Sequence, residues 1–228
     1  MVKSIFVNLL FLAAVPVLAA SNSFQKWTLS EALRVLNESS WARQETYTQV
    51  IGGIGSGIQG EKEIYNTFFV RFLSAAPIRQ AYARVKQIHM GFDRLNEVER
   101  QKINEEIKQG LELDVSQWIV VAVTFRSNNL NQQSRVDQFF QSNTAETLKT
   151  SVFLSTDSFP KLFPLAYYPP KEESVGAKFV FPRKVDDIPV ITVDDEMVVF
   201  ELDVIGMQQD LRAIFSVQEM IIDGALII

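Results

Sequence analysis

The run Ile119-Val120-Val121-Ala122-Val123 carries no polar alternation, and it limits the possible folds of this chain more than any other stretch. A strand without a polar face needs protein on each side, as a central strand covered on both faces has. Residues Trp118 to Phe125 are therefore expected to form the spine of a sheet, with further layers above and below it.

The flanking patterns supply those layers. Thr28-Leu29-Ser30-Glu31 is a capping box ahead of Ala32, Leu33, Val35 and Leu36, which predicts a helix of about ten residues. Gln44–Ile51 and Ile64–Leu73 are rich in β-branched and aromatic residues and read as two strands of a long-looped hairpin around the glycines at 52–60. Pro77 marks a helix start, with Ile78, Ala81, Tyr82, Val85, Ile88 and Phe92 expected on its inward face. A second helix is expected with Asp93 as N-cap, Leu95, Val98, Ile103 and Ile107 inward and Gly110 at its end, so that the two make a helical hairpin. Ser134 to Phe140 reads as a short helix. Leu148–Leu154, Ala177–Phe181, Met197–Ile205 and Leu211–Val217 read as strands, and Ile222-Asp223-Gly224-Ala225 as a closing hairpin turn. The resulting class is α+β, a mostly antiparallel sheet with a helical hairpin packed on it and a short N-terminal helix.

Residues 1–20 read as a cleavable secretory signal peptide. Lys3 precedes the apolar run Ile5 to Val15, Pro16 interrupts it, and Ala19 and Ala20 are the small residues a signal peptidase accepts, leaving Ala20 or Ser21 first. Residues 21–228 read as one domain with no later run long enough to span a membrane. The cysteine count is zero, which removes disulfides, thiolate metal ligands and a cysteine nucleophile together and points to a bacterial exported protein held by packing alone. With 22 basic residues against 27 acidic ones and no basic run, nucleic acid is not an expected partner. A protein or glycan partner is compatible with this composition.

No motif requires a particular chemistry. Gly55-Ser56-Gly57-Ile58-Gln59-Gly60 matches the dinucleotide fingerprint in letters, but strand-like residues follow it instead of a helix and no acidic residue lies between Glu63 and Asp93. His89 is the only histidine, and with Asp93 four residues on, a helix-surface or N-cap interaction explains the pair more simply than a metal site. Ser158 and Lys161 have Ser-x-x-Lys spacing, yet Pro160 lies between them and no partner motif follows. No cofactor or metal is expected. Paired carboxylates could still do acid-base work, and Glu201 and Asp203, expected side by side on one strand face, are the pair to examine before Asp186-Asp187 and Asp194-Asp195-Glu196. The segment Phe159 to Pro170 holds four aromatics and four prolines in twelve residues, too broken for a central strand and too apolar for a solvated loop. It is read either as an irregular edge over the core or as a contact surface presenting Phe159, Phe163, Tyr167 and Tyr168.

Three segments, Leu29 to Arg43, Phe68 to Ala81 and Tyr167 to Arg183 with its Tyr-Tyr-Pro-Pro and Gly-Ala-Lys-Phe-Val-Phe-Pro-Arg stretches, resemble a group of uncharacterised secreted proteins of acidobacterial-type soil bacteria. The resemblance implies an exported bacterial protein and brings no activity with it. The sequence as a whole is read as an exported, non-catalytic binding or envelope-associated module, with an exported hydrolase using paired carboxylates as the alternative.

Overall fold

The computed structural model describes residues 23–52, 62–171, 175–204, 207 and 210–228, so the segment read as a leader, residues 53–61 of the stretch expected as a glycine loop, and Ile205 lie outside the described residues. The first helix, α1 (Leu29–Glu38), starts at the expected capping box, where Thr28 and Glu31 satisfy each other's backbone N–H groups. Strands β1 (Ala42–Ile51) and β2 (Lys62–Phe72) then pair antiparallel as the predicted hairpin. Helix α2 (Ala76–His89) and helix α3 (Glu97–Leu111) follow and pack on one another, with β3 (Trp118–Ser127) after them. The remaining elements are α4 (Leu130–Ser142), β4 (Val152–Ser155), β5 (Ala166–Tyr168) and β6 (Ala177–Pro182), the small pair β7 (Lys184–Val185) and β8 (Ile188–Pro189), β9 (Met197–Leu202), β10 (Leu211–Ser216), and a closing hairpin of β11 (Ile221–Ile222) and β12 (Ala225–Leu226).

Two antiparallel sheets organise these elements, one with five strands in the order β1-β2-β3-β6-β5 and one with three in the order β10-β9-β4. The apolar run occupies β3 in the middle of the larger sheet, covered on each face as expected. Its residues Ile119, Val121, Val123 and Phe125 join Phe68, Phe72, Phe179 and Phe181 on one face. Against that face the smaller sheet packs Phe200, which meets Phe179 and Phe181, and Phe215, whose ring centroid lies 4.8 Å from that of Phe72. Val198, Phe200, Leu202 and Val204 are all buried while Glu201 and Asp203 are not, as predicted for β9, with Val199 also buried on the other face. The opposite face of the larger sheet is met by the helical hairpin. Arg71 on β2 donates from there to Tyr82 Oη of α2 and to Thr124 Oγ1 of β3.

Some local expectations are corrected. The N-cap of α3 is Asn96, whose side chain accepts from Glu99 N; Asp93 instead makes a two-oxygen pair with the buried guanidinium of Arg84 at 2.9 and 3.1 Å. On α2 Ile78 and Ala81 are buried as expected, but Tyr82, Val85 and Ile88 are only half-buried while Arg84 and Gln87 are buried, and Phe92 belongs to a separate 3-10 turn. Val98 points to solvent, because α3 packs through Ile103 and Ile107 only. Leu148 to Ser151 forms turns, and β4 starts at Val152. The Phe159 to Pro170 segment contains β5, a three-residue edge strand paired to β6, which is the place in a sheet that tolerates flanking prolines. Among the described residues no helix is long and apolar enough to cross a membrane.

Candidate functional site

The helical hairpin covers the β2 and β3 part of the sheet and leaves the β6 and β5 part open, and a cleft of about 890 Å³ lies along that boundary. One wall comes from α2, which presents Arg79, Tyr82, Ala83 and Lys86 at spacings of three and four residues. A second comes from α3, through Glu106, Ile107, Gly110 and Leu111, and the connection into β3 closes one end with Leu113, Asp114 and Val115. The floor is the sheet itself, with Trp118 and Val120 on β3, Lys178 and Val180 on β6, and Ala166 and Tyr168 on β5. Tyr168 and Leu165 remain 56% and 61% exposed and Trp118 42%, so the apolar lining continues out to the rim. A continuous apolar surface of this kind needs an occupant or a function, unlike scattered exposed residues.

Strand register fixes the polar groups in the floor. Arg71 stands opposite Ala122, Ala122 opposite Lys178, and Lys178 opposite Tyr168, so one cross-strand row runs Arg71, Ala122, Lys178, Tyr168 with all four side chains on the same face. Arg71 is buried and fully occupied, donating to Leu36 O, Asn37 Oδ1, Thr124 Oγ1 and Tyr82 Oη. Among the described residues it has no carboxylate partner. Lys178 likewise forms no ion pair among them; burial, and then the nearby charge of Lys171, hold its ammonium below the ordinary lysine range. Tyr82 lines the cleft, its Oη accepts from Arg71, and burial raises its pKa, so it stays a protonated donor. Arg79 ties the two helices to the sheet by donating to the carbonyls of Leu73, Ser74 and Leu111. At the rim Lys86 and Glu106 pair across the helices at 3.7 Å, and Asp114 is taken up by the backbone N–H of Ser116. The lining thus holds three cations against two carboxylates in a chain whose net charge is −5.

The residues singled out from sequence fall elsewhere or divide. Alternation along β5 turns Tyr167 inward, where its ring packs on Phe179 and its hydroxyl donates to Phe140 O, and turns Tyr168 outward into the cleft. Phe159 is partly buried against the core, and Phe163 is exposed under Lys161 outside the cleft. The four aromatics therefore do not share one surface. Glu201 lies on the outer side of the smaller sheet, across from Arg212, with which it pairs at 3.4 Å. Asp203 is exposed just beyond the end of β9, and neither carboxylate lines the cleft. Asp186 and Asp187 take positive φ in the β7 to β8 turn, and Asp195 is buried as the acceptor of Thr192 N and Oγ1. Ser158 lies on a bend and Lys161 in irregular chain, with no helical turn between them, and His89 is exposed at the end of α2. No group of three or more metal-binding side chains occurs among the described residues.

Sequence reading passed over Lys178, Tyr82 and Trp118. The available signal was Lys178, the one charge inside the apolar strand Ala177 to Phe181. Compared with models of known families, with curated proteins and with solved structures, the chain matches none.

Proposed function

We propose that this chain is an exported, non-catalytic binding module whose ligand is a small molecule with an extended apolar body. One observation carries the reading: an open, mostly apolar cleft of about 890 Å³ between the helical hairpin and the uncovered end of the sheet. That volume is within the roughly 300–1,000 Å³ typical of small-molecule sites. The module is read as exported from the leader pattern at residues 1–20.

Trp118 supplies the readout, since it lines the cleft while Trp27 and Trp41 are buried in the core. Titration with 1-dodecanol is expected to shift the tryptophan emission saturably, and Trp118→Phe to remove the shift. Gly110 offers a way to fill the site, because a Cβ there meets nothing within 4 Å. Gly110→Phe is expected to fold normally and to weaken dodecanol binding at least tenfold. Unchanged binding in that variant would refute the cleft as the site.

A further inference from the structure

Resting on that reading, we infer that the ligand of the cleft is an amphiphilic carboxylate, a single carboxylate head on an unbranched apolar tail, with the head held between Lys178 Nζ and Tyr82 Oη. Three observations place the head there. Lys178 is half-buried in the floor, and no described carboxylate forms an ion pair with it. Tyr82 accepts a hydrogen bond from Arg71 and keeps its own O–H to give, and a hydroxyl that accepts from a guanidinium is a strengthened donor to an anion. Arg71 and Lys178 are separated in the cross-strand row only by the methyl group of Ala122, two strand spacings or roughly 10 Å apart at Cα. A buried and a half-buried cation in one row, with a hydroxyl donor on α2 hydrogen-bonded to the first, favour an anion and disfavour a cation.

The tail then has one direction open to it, along Val120, Val180 and Ala166 in the floor and Ile107 and Leu111 above them, towards Trp118 and Leu165 at the rim. Apart from the indole N–H of Trp118 these side chains are apolar, and none of them carries a charge for a second polar head. Glu106 and Lys86 engage each other, Asp114 accepts from Ser116 N and Arg79 donates to backbone carbonyls, which leaves Lys178 as the charged group of the lining without a partner among the described residues.

The test compares laurate, 1-dodecanol and dodecyltrimethylammonium, each below its micellar concentration, at pH 7.5. Laurate should bind at least tenfold more tightly than the alcohol and the ammonium least tightly, and within octanoate, decanoate and laurate each added CH₂ should tighten binding about threefold to fourfold. Lys178→Met should reduce the laurate-to-dodecanol ratio to near one, chiefly by weakening laurate, Lys178→Arg should keep most of it, and Tyr82→Phe should lower it in part. Equal binding of laurate and dodecanol, or an unchanged ratio in a folded Lys178→Met protein, overturns the carboxylate inference and leaves the binding module standing. Failure of all three ligands to bind overturns both readings, as would a protein that sediments as a dimer in which a second copy covers the cleft.

Discussion

Arg84 is one of two buried guanidinium groups, and its only carboxylate partner among the described residues is Asp93, whose own side chain is 62% exposed. The hydrogen bonds from Arg84 hold the Asp93 carboxyl below its ordinary value, so the pair stabilises the fold above the unfolded pKa and is lost as pH falls through the lowered folded one. Asp93→Asn is expected to cost about 1 kcal/mol near neutrality, limited by the exposure of the aspartate. In urea unfolding the gap between the two proteins should close below about pH 4. A gap independent of pH would refute the assignment. Gly176 sets a harder limit: it has φ 101°, and a Cβ there would lie 2.3 Å from Val123 O. Gly176→Ala is expected to lose at least about 2 kcal/mol, since the start of β6 must then move away from the central strand.

Among the elements, α3 is the weakest wall, packing through only Ile103 and Ile107 as its fully buried residues. Gly110→Ala adds helix propensity at an open position and should raise stability by about 0.5–1 kcal/mol in urea unfolding, without altering dodecanol binding. The contrast between elements explains what could be read from the sequence. The capping box of α1, the unbroken apolar run of β3 and the alternation of β9 are local patterns that burial and backbone hydrogen bonding enforce directly, and each is found where expected. Asp93 was misread as an N-cap because its true partner, Arg84, is chosen by tertiary packing of α2 and not by neighbouring sequence. The division of Tyr167 from Tyr168 was legible only once β5 was known to be a strand, and three residues between prolines carry no periodicity to show it. The cleft was not legible, because it arises where the helical hairpin stops short of β6, a property of packing between elements distant in sequence.

For the molecule as a whole, stability without disulfides rests on the interface between the two sheets, where the rings of Phe72 and Phe215 and of Phe179 and Phe200 meet. The proposed route to its place of action leaves a mark of its own: expression of the full chain in a bacterial host should yield a protein beginning at Ala20 or Ser21 by N-terminal sequencing, and an intact Met1 would contradict export by cleavage. The binding account is tested by intermolecular NOEs between dodecanol and the isoleucine, leucine and valine methyl groups of the otherwise deuterated protein. The account predicts NOEs to Ile107, Leu111, Val120 and Val180, which line the cleft. NOEs confined to Val199 and Ile214 on the outer side of the smaller sheet, or none at saturating ligand, would contradict it.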